Sequence, residues 1–258
     1  MTEVWWQTRR RDQIAAAPKS TVLLLPIGAV EQHGPHLPLD VDISGAIAVC
    51  ERAAQALDDP PALVLPPVPW GLSPYWLPFA GTLSLRPETI LALISDIGSS
   101  VARHGFGRLV IVNGHGGNAG IIGAAATMLA DHGVRAAALS YWSLLGPAAL
   151  RRLAPGDGGH IGHAGQTETS IQRYLRPELV APEPPPDGAD LRDFLAPPFG
   201  GAFYAPPDPP REAPLGVYGA AGAADAAIGR AVIERAAERL AEFVRRFAAE
   251  GAAAGGVG

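Results

Sequence analysis

Short apolar runs recur along the first half of the chain, each bounded by turn residues. They cover residues 21–27, 62–65, 108–112 and 134–139. Continuous apolar runs of this length are typical of strands that are buried on both faces, as in a parallel sheet with helices on each side. The pattern therefore predicts four strands, of which 108–112 is the clearest.

Segments with helical periodicity separate and follow the predicted strands. They cover residues 43–57, 87–105, 119–132, 168–175 and 220–249. The segment 87–105 has a good start signal, because Pro87 suits the first helical position and Glu88 complements the helix dipole. Parallel strands need crossover connections, so this alternation predicts an α/β fold of three layers, α/β/α, with a central, mainly parallel sheet.

The chain length and the order of elements predict one domain over residues 1–258 rather than two small ones. Residues 180–214 are rich in Pro and have no periodic pattern. A linker is one interpretation of this segment, but little sequence follows it except the helix at 220–249. We therefore interpret residues 180–214 as a lid or a subunit-contact loop within the domain.

Charge and composition exclude several classes of partner. The formal net charge is −5, and no cluster of Lys and Arg could follow a phosphate backbone, which argues against nucleic acid. The apolar runs are too short to span a membrane, and the first residues lack the apolar segment of a secretory signal. Cys50 is the only cysteine, so no intrachain disulfide can form. We expect a cytoplasmic protein with neither a membrane nor a nucleic-acid partner.

Polar residues follow the first and third predicted strands, at the edge of the sheet where ligands bind in open α/β folds. Glu31 and His33 come after the first strand, and side chains at this spacing project to the same side of an extended chain. Asp42 lies just downstream, and His115 follows the third strand in a Gly-rich loop. Carboxylates with imidazoles suit zinc or manganese, and two ions that share a carboxylate can activate water at neutral pH.

These residues taken alone leave other interpretations open. A histidine in a Gly-rich turn is often a hydrogen-bonding residue of the loop, and Gly116-Gly117 is compatible with a simple tight turn. The same loop faintly resembles a phosphate-binding turn, although neither a Gly-Lys-Ser/Thr motif nor the Rossmann glycine spacing is present. Residue spacing therefore indicates a candidate metal site without deciding between a ligand role and a structural one.

Several motifs together resemble those of the creatininase, or creatinine amidohydrolase, family. They are PIGAVEQHGPH at 26–36, Asp42, Gly-Thr at 81–82, VNGHGGN at 112–118 and HAGQTETS at 163–170. Their order and spacing match the family from about residue 21 to 178, with weaker similarity from Gly216 onward. Separate motifs that occur in one order are a specific signal.

The resemblance implies a metal-dependent hydrolase that cleaves a C–N amide bond in a small or cyclic amide or in a short peptide. It implies two divalent metal ions per chain, zinc or manganese, with iron as a further candidate. Glu31 and His115 would bind one ion, His33 and Glu168 would bind the other, and Asp42 would bridge them. A hydroxide held between the ions would attack the carbonyl carbon.

The resemblance also implies roles around the metal ions. His163 matches the position that transfers a proton to the leaving nitrogen, a role suited to an imidazole. The expected substrate-binding residues are Trp76, Trp142, Gly116 and Gly117. Trp76 and its aromatic neighbours Trp70 and Tyr75 could equally pack at a subunit interface, because either role suits aromatic side chains. The neighbours expected to give only supporting hydrogen bonds are His36, Asp40 and His160.

Two departures from the family pattern bear on the substrate. Creatinine-hydrolysing members carry Tyr-Glu where this chain has Gly116-Gly117, so an acidic group near one metal is missing. Those members also have a Trp and a Glu at the positions of Gly159 and Gly162. Both departures argue against creatinine itself. The glycine pair resembles the broader family, which includes hydrolases of formylated pyrimidine intermediates and the peptidase that trims the mycofactocin precursor.

Alternatives to this interpretation remain open on the sequence alone. A peptidase of the mycofactocin-precursor type is the alternative activity. A non-catalytic protein that binds a nucleotide-like or sugar-like ligand on the same fold is the alternative class, and a single-metal site is the alternative arrangement. Family members commonly assemble into rings, so the resemblance implies a homo-oligomer, for which a hexamer is one candidate.

Overall fold

The computed structural model describes residues 3–189 and 208–253. At its centre lies a sheet of four parallel strands in the order β2-β1-β3-β4. The strands are β1 Val22–Ile27, β2 Ala62–Val64, β3 Arg108–Asn113 and β4 Arg135–Ser140. Leu24 of β1 is aligned with Val64 on one side and with Val110 on the other.

Helices cover both faces of this sheet. They are α1 Arg11–Ala16, α2 Val41–Gln55, α3 Pro87–Arg103, α4 Ala119–Met128, α5 Pro147–Leu153, α6 Gln166–Leu175, α7 Pro209–Glu212 and α8 Ala226–Ala253. The helices α2, α6 and α8 pack together on one face, whereas α3 and α4 pack on the other. This parallel sheet between two helical layers confirms the predicted three-layer α/β fold.

The strands are almost entirely apolar because both faces of the sheet are buried. Alternate side chains of a strand point to opposite faces. Leu24 accordingly packs into the core beneath α2 and α8, while Leu23 and Leu25 pack into a second core with Ile90 and Ile94 of α3. Full burial of one such side chain stabilises the fold by about 1.5–3 kcal/mol.

The predicted bounds of the last helix, 220–249, are wrong. Ala221–Ala223 form a separate 3-10 turn, and α8 begins only at Ala226 and continues to Ala253. The Asp225 carboxylate accepts a hydrogen bond from the backbone N–H of Ala227 at 2.7 Å, which fixes the later start as a helix N-cap does.

The predicted loop at 180–214 is described only in part. Its residues 190–207 lie outside the described residues, and Pro209–Glu212 form the short helix α7. Among the helices of the described ranges, none combines the length and the apolar character that a membrane span requires.

Candidate metal centre

Side chains from separate segments meet at the carboxyl edge of the sheet. Glu31 and His33 follow β1, and His115 follows β3, which is the neighbour of β1 in the sheet. Asp42 and Glu168 lie in the first turns of α2 and α6. All five side chains are buried. The structure thus brings together every residue for which the resemblance implied a metal-ligand role.

The five side chains form two groups that share one carboxylate. On one side, His115 Nδ1 lies 3.3 Å from Glu31 Oε1 and 3.0 Å from Asp42 Oδ2. On the other side, His33 Nε2 lies 3.3 Å from Asp42 Oδ1 and 3.5 Å from Glu168 Oε2. Within each group of three residues, the candidate ligand atoms lie within 4.8 Å of one another. Asp42 offers one oxygen to each group.

The outward-facing nitrogen of each imidazole is held by a backbone carbonyl. His33 Nδ1 lies 3.1 Å from Glu31 O, and His115 Nε2 lies 3.0 Å from Leu72 O. A carbonyl oxygen can only accept, so these nitrogens carry protons, and the inward nitrogens are the ones that would bind a metal ion. Such an outer contact fixes the tautomer and the ring orientation of metal-binding histidines.

The inward-facing atoms fit a metal ion better than they fit one another. Both carboxylate oxygens of Glu31, Oδ2 of Asp42 and Nε2 of His33 are buried without a hydrogen-bond partner. Although their neighbours lie within ion-pair distance, the geometry is not that of hydrogen bonds. A buried polar group without a partner destabilises a fold by about 1–3 kcal/mol. Divalent cations would bind these atoms, and the mixed carboxylate and imidazole set suits zinc or manganese.

Burial and mutual charge shift the pKa values of the centre. Burial raises the pKa of Glu168 to about 8, and repulsion from Asp42 acts in the same direction. Burial acts to lower the pKa of His33, but the carboxylates of Asp42 and Glu168 outweigh it and raise that pKa to about 10. The carboxylates therefore attract positive charge into a buried place, either as protons on the imidazoles or as metal ions that displace those protons.

His163 lies beside the centre between two aromatic rings. Its ring centroid is 4.2 Å from that of His33 and 4.1 Å from that of Trp76, which stacks on it at an interplanar angle of 19°. His163 Nδ1 lies 3.6 Å from Glu31 Oε1, and Nε2 lies 2.9 Å from Gln32 O. Burial, reinforced by His33, lowers the pKa of His163 well below its usual value. The next residue, Ala164, has a φ of 52°, a strained conformation of the kind found at functional sites.

A third group of candidate ligands also meets at this point. Glu31, His33 and His163 place their ligand atoms within 4.8 Å of one another. The geometry alone therefore leaves two roles for His163, a metal ligand or a carrier of protons.

The expected substrate-binding residues lie in different environments. Trp76 is only 3% exposed because it packs on His163, whereas its neighbour Trp70 is 43% exposed. Trp142 is half-buried and, together with Gly116, lines a cavity of about 430 Å³. Gly117 lies next to the outward-facing nitrogen of the His115 ring, and a Cβ atom at this position would come within 2.4 Å of that Nε2 atom. The closeness of Gly117 to His115 explains why a glycine stands there and not a larger residue.

Comparison with known proteins identifies the family. A family model described as creatinine amidohydrolase matches residues 7–244, which is most of the chain. The chain belongs to the creatininase family. This result confirms the resemblance drawn from the motifs and the predicted enzyme class, a hydrolase of that family.

Two relatives of this creatininase-family chain are named for different activities. Mycofactocin precursor peptide peptidase of Mycobacterium ulcerans (strain Agy99) is 36% identical over 234 residues, which cover 88% of this chain and 84% of the relative. Creatinine amidohydrolase of Pseudomonas putida is 32% identical over 253 residues, which cover 92% of this chain and 94% of the relative. Family membership therefore does not decide the substrate.

Solved creatininases share the fold of this family member. A mutant creatininase of "Zn-Zn type" has a TM-score of 0.80 at 31% identity, and a structure named "Creatininase Mn" has a TM-score of 0.76 at 31% identity. Each comparison covers 95% of this chain and 98% of the other. The names of these two proteins refer to zinc and manganese, the metals that the donor set of this creatininase-family chain suits.

Two residues that position the centre of this creatininase-family chain were not predicted as site residues, although one of them, Gln32, lies within the motif at 26–36. The Asp157 carboxylate accepts hydrogen bonds from the backbone of Gln166 and Thr167 at 2.9 and 2.7 Å, and so caps the helix that carries Glu168. Asp157 lies nine residues before Gln166, too far for the local spacing by which caps are recognised. Gln32 contacts His163 Nε2 through two atoms. Its backbone carbonyl oxygen and its side-chain amide nitrogen each lie 2.9 Å from that nitrogen.

The residues predicted to give supporting hydrogen bonds lie in the segments around the candidate metal centre. Asp40 accepts two hydrogen bonds from Arg176, at 2.7 and 2.8 Å, which link the start of α2 to the end of α6. His36 Nε2 lies 2.8 Å from Thr169 Oγ1. His160 lines the cavity beside Trp142. The Asp40 contact joins the two helices that supply Asp42 and Glu168, and the His36 contact joins the loop before α2 to α6.

Proposed function

We propose that this chain is a metal-dependent amidohydrolase that cleaves a C–N amide bond in a small amide or a short peptide. The observation that carries this proposal is the position of Asp42, whose two oxygens face two separate groups of buried ligand atoms. In the proposed arrangement, Glu31 and His115 bind one divalent ion, His33 and Glu168 bind a second, and Asp42 bridges them. Zinc and manganese are the proposed metals, with iron as a further candidate.

The metal ions and the residues around them would have separate roles in the reaction. The bound ions would supply Lewis acidity and an activated water at neutral pH. His163 would move a proton to the leaving nitrogen, and we assign this to Nδ1. Its Nε2 lies 2.9 Å from both the carbonyl oxygen and the side-chain amide nitrogen of Gln32, whereas Nδ1 lies 3.6 Å from Glu31 Oε1 and so is the ring nitrogen that faces the centre. Trp76, stacked on the ring, would hold His163 in this orientation.

A peptide substrate is the second candidate, and one observation favours it. The relative named mycofactocin precursor peptide peptidase is 36% identical over 88% of this chain. Gly159 and Gly162, which differ from the pattern of creatinine-hydrolysing members, line the cavity that includes Gly116 and Trp142 and place no side chain in it. We therefore expect peptides or larger amides to be better substrates than creatinine.

We further propose that the chain acts in the cytoplasm as a homo-oligomer, with a hexamer as one candidate. Its cysteine, Cys50, is fully buried, which suits a protein whose stability does not depend on a disulfide bond. Leu77 and Leu83 are each 54% exposed, and apolar side chains at a surface suit a subunit contact.

Metal removal tests the proposed function. After dialysis against a chelator, we expect kcat/KM for short peptides and N-formyl amides to fall by more than about 100-fold, because even outer-contact residues of metal sites contribute 10- to 100-fold. Zinc or manganese should restore turnover and also raise the Tm, since a ligand of the folded state stabilises it.

Two results would count against the proposed function. Full turnover by metal-free protein would rule out a metal-dependent reaction. Tight binding of a nucleotide-like or sugar-like ligand, with neither turnover nor dependence on metal, would favour the binding-protein alternative instead. A chelator-treated sample to which magnesium alone is added back serves as the control, because magnesium prefers an all-oxygen ligand set.

A further inference from the structure

A cavity of about 510 Å³ lies at the opposite edge of the sheet from the candidate metal centre. It is lined by residues of the N-terminal segment, which include Lys19, and by His104. Lys19 precedes β1 and His104 precedes β3, so the cavity lies beside the amino ends of these strands. The candidate metal ligands follow the carboxyl ends of the same strands, which are six residues and therefore about 20 Å long. The cavity is separate from the candidate centre, and its size is that of a small-molecule site.

The wall of this cavity is basic, although the formal net charge of the chain is −5. Its lining includes Arg9, Arg11 and Lys19, and none of the described residues that line it is an Asp or a Glu. Lys19 is also the only lysine of the chain. Three positive charges around one cavity repel one another and attract an anion between them.

Arg9 has a side-chain donor that the fold leaves unused. Its Nη2 donates a hydrogen bond to the backbone carbonyl of Glu3, whereas its Nε is buried and has no hydrogen-bond partner among the described residues. The Glu3 carboxylate accepts instead from the backbone N–H of Trp5 at 3.1 Å. A buried donor without a partner destabilises a fold, so an acceptor that reached Nε from the cavity would be bound favourably.

The charges of Arg11 and Lys19 are not neutralised by the fold. Both residues are exposed, and neither has an ion pair with a carboxylate in the part of the chain that the structure describes. Lys19 Nζ lies 4.3 Å from the ring centroid of Phe106 and 3.4 Å from Ala15 O, two contacts that keep the ammonium at the cavity wall. An anion in the cavity would supply the opposite charge that both side chains lack.

The shape and chemistry of the wall indicate the class of the anion. Guanidinium groups bind the oxygens of a phosphate through paired, charge-assisted hydrogen bonds. The cavity is larger than a phosphate ion, and Trp6 and Ile14 form an apolar part of its wall. The indole of Trp6 is held edge-on to Phe106, with ring centroids 5.3 Å apart. A ring attached to the phosphate would bury apolar surface against this part of the wall.

We infer that this cavity binds a phosphate monoester of a small molecule that carries a ring. Arg9, Arg11 and Lys19 would contact the phosphate, and the ring would lie against Trp6. The inference goes beyond the proposed amidohydrolase function and does not depend on it, because the two sites lie at opposite edges of the sheet.

The experiment measures binding to the metal-loaded protein by calorimetry, with phenyl phosphate as the probe. We expect phenyl phosphate to bind at least about 10-fold more tightly than either inorganic phosphate or benzyl alcohol, since each of these lacks one of the two contacts. Its affinity should fall as the salt concentration rises, because the contacts are between charges near the surface. Phenyl phosphate should also slow the acetylation of Lys19 by acetic anhydride, which mass spectrometry can follow because no other lysine is present.

The Arg11→Gln and Lys19→Gln variants should each lose at least about 10-fold in affinity for phenyl phosphate, because each removes a charge-assisted contact. Arg10→Gln is the matched control: Arg10 is exposed, pairs with Asp12 at 3.4 Å and is not part of the lining, so its loss should leave the affinity unchanged.

Three results would overturn the inference. Phenyl phosphate that binds the Arg11→Gln and Lys19→Gln variants as tightly as the original protein would be bound elsewhere, for example at the metal ions. An equal loss in Arg10→Gln would indicate general attraction to positive charge, and unchanged acetylation of Lys19 would place the ligand outside the cavity. Amide hydrolysis by the same metal-loaded protein tests the proposed function separately, so either idea can fail without the other.

Discussion

Asp42→Ala is expected to remove both metal ions and to lower kcat/KM by much more than 100-fold. Asp42 faces His115 through one oxygen and His33 through the other, so its loss leaves each ion with a single carboxylate and an imidazole. Residues that only support metal ligands already contribute about 10- to 100-fold, and a shared ligand should contribute more. Metal content per chain, measured by mass spectrometry of the purified variant, checks this expectation directly.

The control for this experiment is Asp58→Ala, at an exposed turn position after α2. It removes a carboxylate close in sequence without touching the centre, so both metal content and turnover should stay unchanged. Circular dichroism should show that both variants are folded. A variant Asp42→Ala that keeps one full metal equivalent would favour the single-metal arrangement, and one that keeps two would contradict a bridging role.

Replacing His163 with glutamine is expected to lower kcat by about 10²- to 10⁴-fold, the usual contribution of a positioned acid or base. The loss should depend on the leaving group, because a proton is needed only where the departing nitrogen is basic. An activated nitroanilide should therefore lose much less rate than an alkyl amide. Glutamine keeps a donor near Gln32 O but cannot carry a proton at the position of Nδ1.

Metal content separates the two roles that the geometry leaves for His163. If the residue carries a proton, His163→Gln keeps both metal equivalents while turnover falls. If it is a ligand in the group with Glu31 and His33, metal is lost as well and the leaving-group dependence disappears. His132→Gln is the matched control, since His132 ends the 3-10 turn Leu129–His132 after α4 and its Nε2 lies 2.8 Å from Ser95 Oγ.

The sheet could be predicted from the sequence because its pattern is local. Residues such as Leu23 and Leu24 are apolar although they point to opposite faces, which indicates a strand with helices on both sides. The start of α8 could not be predicted in the same way. The Ala-rich sequence from 220 onward has helical propensity throughout. The Asp225 cap and the preceding 3-10 turn determine where the helix begins.

Part of the candidate centre could be predicted because three of its residues directly follow predicted strands. Glu31, His33 and His115 follow strands, so the topology of a parallel sheet already places them at one edge. Glu168 lies on a helix far along the chain, and its place beside His33 followed only from the family resemblance. The support from Asp157 was not predictable, because its hydrogen bonds depend on how a loop with left-handed glycines at 158, 159 and 162 folds back on α6.

The most direct test of the central claim is anomalous X-ray diffraction from crystals of the zinc-loaded protein, with data collected on both sides of the zinc absorption edge. The proposed arrangement predicts two anomalous peaks, one on each side of Asp42, next to His115 and His33 respectively. A single peak, or peaks remote from the Asp42 carboxylate, would contradict a centre built on a shared aspartate.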